Sequence, residues 1–130
     1  MEKSKVKVIV ARPGEKAYVT EIVPDYKTLS ALVGGHIELT YPVDDEVAII
    51  SDECSKLKGK MPNRTVFGSA IPKKCPLYKG INPDVYAGTI VIIGDHGDTE
   101  DFDSLKEHEL ELYMKLYGEP QFVTNWFGKQ

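Results

Sequence analysis

No stretch of this 130-residue chain approaches the roughly 18–20 consecutive apolar residues that span a bilayer, so no transmembrane helix is expected. The opening residues, Met1-Glu2-Lys3-Ser4-Lys5, run directly into a strand-like segment. They hold no apolar stretch and no small-residue cleavage site, and the expectation is a cytoplasmic protein without a signal peptide. Cysteine is scarce: Cys54 and Cys75 stand alone, neither in a CxxC pair, which argues against a disulfide framework or a cysteine metal cage. An excess of positive charge is also missing. The net charge is −4, which disfavours a nucleic-acid binder held by phosphate contacts.

What is present suits one globular domain over residues 1–130, with 42% hydrophobic and 28% charged residues. Lys5 to Val10 starts by alternating and ends apolar, Arg12 to Lys16 carries turn residues, and Ala17 to Val23 returns as a strand, giving an opening hairpin. Pro24-Asp25 begins a short helix with Leu29, Leu32 and Val33 on one stripe, ended by Gly34 in the left-handed conformation. His36–Tyr41 and Val47–Ile50 form a second hairpin, and Gly88–Gly94 is the strongest strand and the central one. The last helix has Ser104 and Glu107 as a capping box and Leu105, Leu112, Tyr113 and Leu116 as its buried stripe. Residues 52–82 read as one long loop excursion, and 119–130 as a tail that docks or makes an oligomer contact. The fold class is α+β: a mostly antiparallel sheet of about five strands with two helices on one face.

Two charged segments could carry chemistry. Lys58-Gly59-Lys60-Met61-Pro62-Asn63-Arg64 sets three cations and a permissive glycine within one loop. Arg64 could clamp a phosphate or carboxylate with two parallel bonds, and Asn63 could add a donor and an acceptor. The alternative is that both side chains staple the loop to the sheet through backbone carbonyls. The second segment, Asp95-His96-Gly97-Asp98 with Glu100, Asp101 and Asp103, has the look of a metallophosphoesterase loop. Such sites need ligands from several separated motifs, and neither His36 nor His108 stands at ligand spacing to His96. A solvated turn whose carboxylates complement a helix N-terminus is the plainer reading, and no metal, cofactor or catalytic residue is expected. No GxSxG and no Cys–His pattern supports a nucleophile.

The order of these segments resembles the DUF3846 family, a domain of unknown function encoded by phages and mobile elements. The matching pieces are Val10-Ala-Arg-Pro-Gly14, Leu29 to Glu38 with its Gly34-Gly35 pair, Tyr41-Pro-Val-Asp44, Lys56 to Gly59, Pro62-Asn-Arg64, Ala87 to Gly94 and Asp101 to Leu105. This chain departs from the family pattern between Val66 and Asn82, where its segment is longer, and in its tail. The resemblance implies an accessory protein acting in the host bacterial cytoplasm against a host defence system. The expected function is non-catalytic: Arg64, Asn63, Lys60 and Lys58 with Gly34, Gly35 and His36 form a pocket that sequesters a small anionic, nucleotide-like signal. The alternatives are a protein-binding inhibitor of a host nuclease such as a CRISPR effector, and a small metal-dependent phosphodiesterase using Asp95, His96 and Asp98. The aromatic tail, Phe122 with Trp126 and Phe127, makes a homo-oligomer the expected state.

Overall fold

A computed structural model describes residues 4–55, 57–67, 85–98 and 101–121. Its main sheet has five strands, all antiparallel, in the order β2-β1-β7-β4-β3. These are β1 (Val6–Ala11), β2 (Tyr18–Ile22), β3 (Ile37–Thr40), β4 (Val47–Asp52) and β7 (Ile90–Gly94). A second sheet pairs β5 (Pro62–Thr65) with β6 (Val85–Ala87). The two expected hairpins are β1–β2 and β3–β4, and the run Ile90–Ile93 lies at the centre. The α+β class and the five-stranded sheet are as the residue pattern implies.

The helices, however, lie on opposite faces rather than on one. α1 (Tyr26–Val33) packs Leu29 and Val33 onto Val8, Val10, Ala48, Ile50, Val91 and Ile93. α2 (Glu107–Tyr117) lays Tyr113 and Tyr117 on the other face, over Ile9, Ala11, Val47, Ile49, Ile90 and Ile92. The physical reason is in the strands. β1, β4 and β7 end or run as unbroken apolar segments instead of alternating, so both of their faces need cover.

Helix boundaries show one agreement and one correction. Asp25 caps α1 by accepting from the Thr28 N–H (2.8 Å), and Gly34 closes it at φ +85° with its N–H on the Ser30 carbonyl. α2 starts two residues later than the Ser104 capping box implies. Its N-cap is Lys106, whose N–H reaches Glu109 Oε1 (2.8 Å), while Ser104 Oγ accepts from the Lys7 N–H (2.9 Å). The buried stripe is accordingly Glu109, Tyr113 and Tyr117, and Leu112 is exposed. The excursion expected over 52–82 contains strand β5, and its remainder beyond Phe67 lies outside the described residues, as does the tail beyond Gln121.

Candidate functional site

β4 ends at Asp52, whose carboxylate is buried. Its Oδ1 accepts from the Cys54 N–H (2.9 Å), and its Oδ2 takes Lys58 Nζ (2.7 Å) and Lys60 Nζ (2.8 Å). Hydrogen bonds from Lys58 and then Lys60 outweigh burial and hold this carboxyl well below the usual range. The same ammonium groups reach the C-terminal end of α1: Lys58 donates to the Gly34 carbonyl (3.0 Å) and Lys60 to that of Val33 (2.6 Å). Cations at a helix C-terminus complement its dipole. Gly35 is needed here, because a Cβ at this position would stand 2.6 Å from both Asp52 Oδ1 and Lys58 Nζ. The tertiary structure thus gathers Lys58, Lys60, Gly34 and Gly35 around Asp52. His36 turns aside, its Nδ1 2.6 Å from the Tyr26 hydroxyl.

Asn63 and Arg64 do not join this cluster. Both are completely buried in β5. Asn63 Nδ2 donates to the carbonyls of Ala11 (2.9 Å) and Gly88 (2.8 Å), and its Oδ1 accepts from Arg64 Nη1 (2.6 Å). Arg64 donates through Nε to Tyr117 (2.8 Å), through Nη1 to Arg12 (3.3 Å), and through Nη2 to Glu15 (2.7 Å) and Gly118 (3.4 Å), all at backbone carbonyls. A guanidinium has five N–H groups, and all five are taken. Burial lowers its pKa, and the charge of Glu119 opposes that shift. The assignment of Arg64 and Asn63 to a ligand is therefore corrected. They staple the β1–β2 turn and the end of α2 to the small sheet.

The acidic turn is more structured than a solvated helix approach. β7 ends at Gly94, which exchanges backbone hydrogen bonds with Asp103 (3.0 and 2.9 Å). Between them His96 folds inward, its side chain only 4% exposed. Nδ1 lies 2.7 Å from Asp103 Oδ1, and Nε2 lies 2.9 Å from both oxygens of the buried Glu109. Burial alone would lower the His96 pKa, but Glu109 and then Asp103 outweigh it and raise it. An imidazolium, donating from both nitrogens, satisfies this geometry. Glu46 completes a set with His96 and Glu109 whose ligand atoms lie within 4.8 Å of one another and could hold a metal ion. A metal there would have to displace the Nε2 proton. Asp95 and Asp98 are not part of this set; Asp95 Oδ2 instead accepts from the Tyr41 hydroxyl (2.7 Å). Burial, followed by Asp95, pushes the Tyr41 pKa up to about 12.

Beside this turn lies a groove of about 280 Å³ that brings Asp25, Asp95 and Asp101 together with Tyr26, Phe102 and Leu39. Its charged lining groups are the three carboxylates. Leu39 comes from the edge strand β3, Tyr26 from α1, and Phe102 packs at its inner side against the α1-facing core.

A family model for a domain of unknown function, DUF3846, matches residues 6–118. The chain belongs to that family. No curated protein and no solved structure gives a match. The motif order that resembles the family therefore reflects membership, and the DUF3846 segment spans every element from β1 to α2.

Residue patterns missed three participants. Asp52 reads as a loop residue, and its one sequence signal is a carboxylate at the end of the apolar strand β4. Glu109 stands four residues before Tyr113 and eight before Tyr117, on the buried stripe of α2, but a glutamate is ordinarily read as a solvated helix residue. Glu46, in the β3–β4 turn, is brought near His96 by the pairing of β4 with β7.

Proposed function

We propose that this DUF3846 protein is a non-catalytic accessory protein of a phage or mobile element that binds the basic surface of a host defence enzyme. The observation that supports this is the groove: three carboxylates and two aromatic rings share one concavity on a chain of net charge −4. Nucleic-acid-processing enzymes carry Lys/Arg-lined channels with aromatic platforms, so their chemistry complements this surface. A negative chain is also steered toward a basic partner at long range. Catalysis has little to draw on here, because His96 has both nitrogens occupied and Arg64 has no N–H to spare.

The test is protection of phage in cells carrying a nuclease-based defence. The wild-type chain should raise plating efficiency, and Asp95→Lys combined with Phe102→Ala should abolish that protection while the protein stays folded. Protection untouched by this double change would remove the groove from the function. Sequestration of a small anion is the second reading, favoured by one observation: Lys58 is 44% exposed, and its ammonium keeps one N–H beyond Gly34 and Asp52. Native mass spectrometry of protein from cells with an active signalling enzyme decides it. A retained nucleotide lost in Lys58→Ala would favour this second reading.

A further inference from the structure

On the opposite side of β3 from the acidic groove, between the main sheet and the small sheet, lies a separate cavity of about 120 Å³. Neighbouring residues on a strand point to opposite faces. Leu39 therefore serves the groove while Glu38 and Thr40 line this cavity. Ser51, paired across the ladder with Glu38, continues the face on which Val47 and Ile49 are core residues. Ser55 follows from the turn after β4, and Tyr86 closes the wall with its hydroxyl 2.6 Å from Thr40 Oγ1.

Two hydroxyls here have no counterpart. Ser51 and Ser55 are more than nine-tenths buried (6% and 7% exposed), and neither side chain has a hydrogen-bond partner among the described residues. Buried polar groups are normally paired. The side-chain polar atoms that are fully closed off without a partner, among the described residues, are the Tyr113 hydroxyl and Gln121 Nε2, so the serine hydroxyls open onto the cavity. Whatever fills it must meet them.

We propose that this cavity binds the ammonium head of a small primary amine. Glu38 is its one ionisable carboxylate, an acceptor without a proton to give, and the serine hydroxyls offer further lone pairs. An ammonium carries three N–H donors and no acceptor, the complement of that lining. Its charge would make the bond to Glu38 a strong one. Val66 and Val85 flank the polar wall and fit a short methylene chain. The volume is that of about four waters, which admits a head group of a few atoms and excludes a nucleotide. The amine can be a free metabolite or the side chain of a lysine.

The test is an NMR titration of the full chain with propylamine, following the amides of Glu38, Ser51 and Ser55, with propan-1-ol and inorganic phosphate as parallel probes. Saturable shifts with propylamine alone are expected. Glu38→Gln should weaken binding about tenfold or more, and Ser51→Ala about two- to tenfold. Glu38 is exposed, so its variant should melt as the wild type does, which separates lost binding from lost folding. An equal response to propan-1-ol, no saturable response to propylamine, or unchanged amine binding in Glu38→Gln would overturn the proposal. Repeating the titration with Nα-acetyl-lysine methylamide separates the sources: tighter binding than propylamine points to a lysine side chain, and weaker binding to a free amine.

Discussion

The Lys58–Arg64 loop and the Asp95–Asp103 turn both leave core strands, and both are dense in charge of one sign. Composition makes the basic loop the candidate for ligand contact and the acidic turn the candidate for plain solvation. The structure distributes the roles differently. In the basic loop the charges are spent inside the molecule, Arg64 on backbone carbonyls and Lys58 with Lys60 on Asp52 and the end of α1. In the acidic turn, His96 is drawn into the interior by Asp103 and Glu109, while Asp95 and Asp101 line a groove. The lesson is physical. A charge near a loop's surface by sequence does its work wherever unpaired groups of opposite character need it, and helix ends and turn carbonyls are such groups.

The largest effect should come from Arg64. Arg64→Met takes the guanidinium from the Glu15 and Tyr117 carbonyls and from Asn63 Oδ1, while the Arg12 and Gly118 carbonyls keep the N–H groups of Glu15 and Ala17. A buried acceptor left unsatisfied costs about 1–3 kcal/mol, so a loss of about 3–5 kcal/mol is expected. Urea unfolding should show it as a fall in midpoint. Arg64→Lys should also destabilise, since one ammonium cannot reproduce the planar fork. Wild-type stability in Arg64→Lys would mean that the staple is dispensable and would erase the contrast between the two segments.

His96 comes next. His96→Gln removes a cation clamped between two carboxylates, and a loss of about 2–3 kcal/mol is expected, below the fully buried case because Asp103 is 28% exposed. The pH dependence gives a sharper check. The folded-state pKa of His96 lies above its unfolded value, so its contribution is complete below about pH 6.5 and is lost as pH rises through the folded value. The stability difference between wild type and His96→Gln, measured by urea unfolding from pH 5 to 9, should therefore shrink toward high pH. A difference that grew instead would contradict the imidazolium.

Asp52→Asn should cost less, about 1–2 kcal/mol, because Lys58 and Lys60 are partly exposed and water screens them. Here the sign is reversed. Asp52 is depressed, so its contribution is present above about pH 3.8 and lost as pH falls toward the folded value. On acidification, the stability of Asp52→Asn should start from a lower plateau and fall less steeply than that of wild type. The smallest effect belongs to Asp98→Asn, an exposed residue of the acidic turn, within about 0.5 kcal/mol by thermal melting. Set against His96→Gln, it separates the part of the turn that is built from the part that is solvated.

Much of the frame could be read from residues. Asp25 and Gly34 mark the ends of α1 because an N-cap acceptor and a left-handed residue are local requirements. The hairpins β1–β2 and β3–β4 follow from strand patterns separated by turn residues. The candidate sites were only half legible. The proximity of Gly34, Gly35, Lys58 and Lys60 was readable as a group, but its centre, Asp52, and the diversion of Asn63 and Arg64 depend on which carbonyls lie within reach, and those belong to segments 25 to 54 residues away.

By itself, then, the chain determined the five strands of its main sheet, its capped first helix, its α+β class and its membership in the DUF3846 family, since these rest on local spacing and motif order. Only the tertiary structure decided that the helices cover opposite faces, that Arg64 is a staple, that His96 is clamped between Asp103 and Glu109, and that Ser51 and Ser55 open onto a cavity. Each of these depends on partners distant in sequence, which burial and the pairing of non-adjacent strands bring together.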